Sequence, residues 1–410
     1  MSPLITEIKV GLDFEAGIIS VGRLAIRDRV IYFEYDDTFI RKGIQLSPIR
    51  LPLQAGVIQL PGQPFEGLAG VFNDSLPDGW GRLLFDRMLR SRGVMPGSVS
   101  PLDRLAHVGL HGMGALVYEP DQSPADPNEI IDLDHLAQQT EEVLHGTSED
   151  VIRELLALNG SSAGARPKAL IAVDKDHQHI YYGAKMLDDG LEPWLVKFPN
   201  ALDGQDAGAI EYVYALMAKA AGVLMPDVHL YPTQKGPGYF AVKRFDRDGK
   251  KRLHMHTASG LLHSDFRVPS LDYEDLLNLT GALTKDIREV EKMYRLAVFN
   301  VLAHNRDDHA KNFSFVMDEK GEWKLAPAYD LTFSNGPNGE QSTMVMGEGR
   351  NPTLTHLVKL GLDAKIPKKL IDETITQTRH ALAQWVPLSK AYGVSKVNIE
   401  LVAHSINQFV

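Results

Sequence analysis

Residues 304–312 read His-Asn-Arg-Asp-Asp-His-Ala-Lys-Asn, and six of these nine side chains are charged or imidazole: His304, Arg306, Asp307, Asp308, His309 and Lys311. The flanks, Asn-Val-Leu-Ala before and Phe-Ser-Phe after, are largely apolar. A charge cluster at the edge of a core is costly unless it is paired, metal-bound or used in chemistry. Asp307 and Asn312 stand five positions apart in this segment. One carboxylate able to orient a hydroxyl and one amide oxygen able to bind a hard cation therefore share a single loop.

The residues that follow extend the set. Residues 313–317 and 322–326 read as two strands joined by the turn Asp318-Glu319-Lys320-Gly321, a β-hairpin that delivers the chain to Ala328-Tyr329-Asp330-Leu331. Acidic loop, hairpin, then a further acid is the order in which phosphotransferases of the protein-kinase type place a catalytic Asp and two magnesium ligands. Magnesium keeps several waters and takes one or two protein carboxylates besides substrate phosphates, so Asn312 and Asp330 suffice. Upstream, Asn159-Gly160-Ser161-Ser162-Ala163-Gly164-Ala165-Arg166-Pro167-Lys168 is a small-residue loop whose backbone N–H groups can approach phosphates, and Lys197 is a lone cation in the apolar run Trp194-Leu195-Val196-Lys197-Phe198. Glu211 lies beside Ile210 near the apolar face of a helical stretch and is placed to pair with Lys197.

The elements that must position these groups follow from periodicity. Alternating apolar residues predict strands over 6–12, 17–25 and 30–35, so a small sheet opens the chain. A Gly-, Pro- and Asp-rich stretch over 61–81 runs into a helical pattern ended by Gly93, with Leu76-Pro77-Asp78-Gly79 read as a turn anchored by Trp80. The polar, proline-bearing segment 119–128 is the best linker candidate. Beyond it come helices over 133–144 and 149–158, strands over 169–173, 180–184 and 194–198, a helix over 206–221, and strands over 228–231 and 239–245. Ile287, Val290, Met293, Tyr294, Ala297, Val298, Val301 and Leu302 form one apolar stripe, a buried helix. Residues 357–362 are a short apolar segment, and 370–385 and 397–409 read as amphipathic helices. A β-rich half followed by a helix-rich half predicts an α+β fold with two lobes.

Composition narrows the chemistry. The 410 residues allow two or three core-bearing units. Cysteine is absent, which excludes disulfides, cysteine nucleophiles and thiolate metal sites. Forty-three Lys and Arg against fifty-three Asp and Glu leave a net charge of −10, so unspecific attraction to nucleic acid or anionic membrane is not expected. The start lacks a basic segment followed by an apolar core, and no apolar run is long enough to span a bilayer; a cytoplasmic protein without membrane contact is expected. His254 and His256 could chelate as His-x-His, but with no third ligand the segment reads as a strand entering a helix. Lys365, Lys368 and Lys369 read as a solvated helix start.

Taken together, the loop at 159–168, Lys197, Lys-Arg-Phe-Asp-Arg at 243–247, the run 305–315 and Ala-Pro-Ala-Tyr-Asp-Leu at 326–331 resemble the HipA-type serine/threonine kinase toxins of type II toxin–antitoxin modules. Residues 65–82 resemble that family's N-terminal subdomain, so the likeness covers nearly the whole chain. It implies a protein-kinase-like two-lobed fold with an extra β-rich N-terminal subdomain over 1–125, an N-lobe over 126–246 and a helical C-lobe over 247–410. It further implies ATP and Mg2+, with Asp307 as catalytic residue and Asn312 and Asp330 as metal ligands. Lys197 would contact the α/β-phosphates, and Ala163, Gly164, Ala165, Arg166, Pro167 and Lys168 would cover the nucleotide. Lys243, Arg244 and Phe245 fall at the hinge, His309, Ala310, Lys311 and Asn312 along the phosphates, and Tyr329 beside the metal ligand. Ser161 matches the family's autophosphorylated serine, with Ser162 second.

The partners so implied are an aminoacyl-tRNA synthetase as substrate, a helix-turn-helix antitoxin of HipB type, and operator DNA through the antitoxin complex. Asp330-Leu331-Thr332 departs from the Asp-Phe-Gly of eukaryotic kinases, so gating borrowed from that motif does not carry over. Two other readings stay open: a small-molecule kinase of the same superfamily, and a catalytically weak ATP-binding corepressor.

Overall fold

The computed structural model describes residues 5–14, 16–124, 130–145, 155–156, 158, 164–182, 190–200 and 204–406. Within them, strands β1 (Glu7–Phe14), β2 (Gly17–Arg27), β3 (Val30–Tyr35), β4 (Val57–Gln59) and β5 (Leu116–Glu119) form an antiparallel sheet in the order β4-β3-β2-β1-β5. Side chains alternate across a strand. The apolar residues of β1 and β3, including Ile8, Val10, Leu12, Ile31 and Phe33, therefore turn to one buried face.

A second antiparallel sheet holds β6 (Lys168–Val173), β7 (Ile180–Tyr182), β8 (Glu192–Lys197), β9 (Val228–Thr233) and β10 (Gly236–Lys243) in the order β7-β6-β8-β10-β9. The helix Ala207–Ala220 connects β8 to β9. The remainder is mainly helical, with the hairpin Ser314–Met317 and Trp323–Leu325 extended by His254–Thr257 into a three-stranded sheet.

Local rules explain several boundaries. The buried helix spans Ile287–Leu302, and the Asp286 side chain caps its start by accepting the Arg288 N–H at 2.9 Å. The apolar segment at 357–362 belongs to a longer helix, Leu354–Asp363, because Thr353 and His356 close a capping arrangement ahead of it. Trp80, which anchors the turn as expected, is the second residue of the helix Gly79–Ser91 and is buried. That helix packs Trp80, Leu84, Phe85 and Met88 against Ile171, Val173 and Trp194 of the second sheet. The first sheet instead shares one continuous core with the C-terminal helices.

Two polar joints hold the N-terminal region to the rest. Asp74 accepts hydrogen bonds from the Thr257 N–H at 2.7 Å and the Thr257 hydroxyl at 2.8 Å, and pairs with His256 Nδ1 at 2.6 Å. Gly70 and Gly260 meet here so closely that a Cβ on Gly70 would lie 2.1 Å from the Gly260 carbonyl oxygen. In the second joint the fully buried Asp246 accepts from Arg244, Arg247 and the Gly114 N–H at 2.7–3.0 Å. Arg252 bonds the Gly114 carbonyl and Asp13. Burial works against the charge of Asp246, but Arg244 and then Arg247 outweigh it and hold the carboxyl far below its usual range.

Asp246→Asn removes that charge and leaves two buried guanidinium groups underpaired. It is expected to destabilise the protein by about 3 kcal/mol at neutral pH. Because the carboxyl is depressed, its contribution is fully present above the unfolded value near pH ~4 and is lost as pH falls. Urea melts of both proteins across pH should show the difference shrinking below about pH 4; a constant difference overturns the assignment.

Candidate active site

Lys168 and Lys197 are register partners on β6 and β8, so both ammonium groups emerge on the same face of the sheet. Like charges directly opposite repel. The structure answers with carboxylates from three other segments, Asp78, Glu211 and Asp330. Glu211, on the helix Ala207–Ala220, pairs with Lys197, and Asp330 pairs with the same ammonium at 2.6 Å. Arg166 lies 3.5 Å from Glu211. Lys197 is 11% and Glu211 3% exposed at the side chain, so this is a nearly desolvated cluster.

Electrostatics follow from the arrangement. Burial opposes the charge on Lys197, but Asp330 and Glu211 outweigh it and keep the ammonium above its usual range. Lys168 goes the other way: burial, and then Lys197 beside it, push it down to about 8. Burial likewise opposes the charge on Asp330, yet Lys197 and Lys168 hold its carboxyl well below the ordinary value. Asp330 also adopts a left-handed backbone, with φ of 58°, a conformation uncommon outside glycine.

The acidic loop meets this cluster from the C-terminal side. Asp307 is exposed; partial desolvation raises its carboxyl and Asp330 adds to the effect, against His309 and Arg166. Its neighbour Asp308 is fully buried and accepts from the Tyr273 hydroxyl at 2.6 Å, Gln341 Nε2 at 2.9 Å, and the Ser342 and Thr343 N–H groups at 2.9 and 3.2 Å. Burial pushes Asp308 up to about 6 while those donors pull it down. Asn305 bonds Asn300, which in turn donates to the Tyr273 hydroxyl at 3.0 Å. The loop is thereby pinned from below, leaving Asp307 facing solvent.

The Asn312 side chain donates its Nδ2 to the Asp307 carbonyl at 2.7 Å. With the nitrogen so used, its oxygen is the free atom, and an amide oxygen with the Asp330 carboxylate suits a hard cation. Among the described residues no three His, Asp or Glu side chains converge as a metal cage. Such a site would complete its shell with water and phosphate oxygens. His309 carries a buried Nδ1 with no hydrogen-bond partner in the structure. Gly164 has φ of 109°, and a Cβ there would strike Lys168 Nζ at 2.3 Å, so this end of the small-residue loop requires glycine. These features fit a magnesium–nucleotide complex.

The sequence-predicted residues are placed as follows. Gly164 to Lys168, Lys197, Asp307, Asn312 and Asp330 lie around the charged cluster, while Ala163, Ser161 and Ser162 fall outside the described residues. Lys311 is turned to Asp78 at 2.6 Å, and Ala310 is buried between His309 and Lys311. Tyr329 bonds the Ser314 hydroxyl at 2.6 Å and stacks on Phe245, with ring centroids 5.6 Å apart. Lys243 pairs with Glu192 at 2.7 Å, and the Arg244 side chain is committed to Asp246, so at the hinge these two offer a nucleotide mainly their backbone. His254 and His256 are not ligands: His254 bonds the Leu46 carbonyl, and His256 bridges Ser47 and Asp74. Sequence reasoning missed Asp308 and Asp78. The adjacent acid pair hinted at a division of labour for Asp308, and nothing local marked Asp78 beyond a turn.

Comparison with known proteins shows the family and the fold. Residues 160–386 match the family model described as HipA-like C-terminal domain, and residues 16–119 match that of the HipA N-terminal domain. The chain is 25% identical over 364 residues to Y4mE of Sinorhizobium fredii, a protein carrying a kinase name, covering 82% of this chain and 83% of that one. It is 25% identical over 205 residues to a second such protein, Y4dM, of which it spans about half, 49%, while 45% of this chain is covered. It is also 24% identical over 351 residues, 78% of this chain and 74% of the relative, to the serine/threonine-protein kinase toxin HipA of Shewanella oneidensis. Among solved structures, Shewanella oneidensis HipA, crystallised with HipB and operator DNA, superposes with a TM-score of 0.67 at 17% identity, covering 98% of this chain and 95% of that one.

The two adjacent acids should separate cleanly in stability. Asp308→Ala strands a buried hydroxyl, an amide and two backbone N–H groups and should cost about 3 kcal/mol or more. Asp307→Ala, at an exposed position, should stay within about 0.5 kcal/mol of the parent. Chemical denaturation of the two variants checks this, and equal losses would contradict the anchoring role.

Proposed function

The chain belongs to the HipA-like family, and from that premise we propose that it is a serine/threonine-protein kinase toxin that transfers the ATP γ-phosphoryl group to a protein serine. The observation that carries the reading is Lys197 bound at once to Glu211 and Asp330. A strand lysine paired with a helix glutamate, and facing the acid expected to hold metal, is the arrangement active protein kinases require.

In this reading each residue has a defined task. Lys197 and Lys168 bind phosphate oxygens, and the Gly164 to Lys168 backbone closes over them. Arg166 adds a further positive charge beside Glu211. Asn312 and Asp330 would hold magnesium, which when bound neutralises charge on the transferring phosphates. Asp307 orients the serine hydroxyl in line with the γ-phosphorus and accepts its proton. The bond from the γ-phosphorus to the ADP oxygen breaks as the bond to the serine oxygen forms. His309, with its unpartnered ring nitrogen, stands beside this path.

The same reading extends to regulation and partners. The self-modification site is Ser161, with Ser162 the neighbouring choice; a phosphate there would add nearly two negative charges to a loop that cradles phosphates and so expel it. An aminoacyl-tRNA synthetase is the proposed substrate. A HipB-type helix-turn-helix antitoxin is the proposed partner, supported by the solved HipA assembly with HipB and operator DNA. With a net charge of −10, this chain would reach operator DNA mainly through that partner. No helix among the described residues is long and apolar enough to cross a membrane.

Purified protein incubated with labelled ATP and magnesium, alone and with a panel of aminoacyl-tRNA synthetases, should label itself and one synthetase. Asp307→Ala should lower transfer by roughly 10²–10⁴-fold, the usual contribution of a positioned proton acceptor. Ser161→Ala should abolish self-labelling while sparing transfer to the synthetase. Label appearing only on a metabolite would replace the toxin reading by a small-molecule kinase. Tight ATP binding with no transfer would replace it by a corepressor.

A further inference from the structure

Asp78 occupies the position before the helix Gly79–Ser91, where an aspartate usually accepts hydrogen bonds from its own helix. Here it makes no such bond. Both oxygens cross to other segments instead: Oδ1 accepts the Gly164 N–H, and Oδ2 holds the Lys311 ammonium at 2.6 Å. Two residues on, the Trp80 N–H donates to the Gly164 carbonyl at 3.0 Å. One turn of the N-terminal region thus grips both backbone polar groups of a single residue in the small-residue loop.

The surroundings make this a specific fit. A Cβ on Gly79 would fall 2.5 Å from the Gly164 carbonyl oxygen and 2.7 Å from Ala165 Cα, so the turn approaches as closely as glycine permits. Trp80 anchors the turn from behind, 1% exposed among Leu84, Phe85 and the second sheet. Lys311 is 8% exposed at the side chain and lies 4.8 Å from the centre of the Phe266 ring, so its charge is held between an aromatic face and Asp78. Burial works against the charge of Asp78, but Lys311, the Gly164 N–H and Lys168 outweigh it. Charge-assisted hydrogen bonds of this kind are among the stronger ones.

We propose that Asp78 is a positioning residue that latches the phosphate loop to the catalytic loop through Gly164 and Lys311, so that nucleotide binding depends on a side chain supplied by the N-terminal region. Its effect on nucleotide rests on the kinase reading; the latch itself does not. Asp78 touches no reacting atom. It fixes where the Gly164 amide and the Lys311 ammonium stand before ATP arrives, which lowers the ordering cost of binding.

The test uses the full chain carrying Asp78→Asn, Lys311→Met or both, with Glu66→Gln, an exposed partner of Arg82 and Arg104, as control. Asparagine keeps the size and helix-start preference of Asp78, and thermal melts within a few degrees of the parent confirm folding. Hydrogen exchange of the Gly164 to Arg166 amides in nucleotide-free protein should accelerate about tenfold in both single variants, with the double variant little worse than either. The KM for ATP should rise about tenfold with kcat nearly unchanged, and the control should match the parent. Faster exchange in a protein that never binds ATP would keep the latch and remove the kinase reading. Unchanged exchange and unchanged KM in an active enzyme would remove the latch alone. Tighter ATP binding by Asp78→Asn would also overturn it, since Asp78 would then be competing with phosphate.

Discussion

The Lys197 ammonium is the point that the rest of the site is arranged around. It leaves a strand of the second sheet, faces Lys168 on the neighbouring strand, and is nearly desolvated. Two ammonium groups in that position repel unless anions are brought to them. Glu211 comes from the helix after β8, Asp330 from the segment after the C-terminal hairpin, and Asp78 from the N-terminal region. Neutralising one pair of lysines therefore fixes three segments relative to each other. A triphosphate entering here would meet cations already oriented.

The N-terminal region is accordingly part of the machine rather than an appendage. Its first sheet shares a core with the C-terminal helices, while its helix Gly79–Ser91 belongs to the core under the second sheet. The Asp74 joint and the Asp246 joint are both buried and polar, and the second is an ion pair. Breaking such a pair leaves an uncompensated charge, so small relative shifts are resisted. The region spans both lobes, and Asp78 sits where that bridging brings it against the cleft.

Much of this was legible in the residues. The run 304–312 announced itself by its charge density between apolar flanks, and its spacing to Asp330 survived folding because a short hairpin carries the chain back. The helix over 287–302 and most strands of both sheets followed from periodicity, since burial on one face imposes it, whereas the short strands β4 and β5 were not expected. Less was visible where a side chain's partner lies far along the chain. Asp308 looks like Asp307 in sequence, yet one is buried under Tyr273 and Gln341 and the other faces solvent. Arg244 lies in a promising hinge motif, but Asp246 two residues away and Gly114 far upstream claim its surroundings.

The sequence by itself determined the chemistry available: no thiols, a carboxylate, amide and lysine set in the order that phosphoryl transfer needs, and a family likeness covering nearly the whole chain. Those are properties of residue type and local spacing, which the chain carries before it folds. The tertiary structure alone decided how the charges are apportioned. Which of two adjacent aspartates is an anchor, which lysine is depressed and which is held charged, and which distant turn grips the phosphate loop all depend on burial and on partners that lie from 14 to 233 positions away. Electrostatic energies depend on distance and solvent exposure, and only the folded chain sets those.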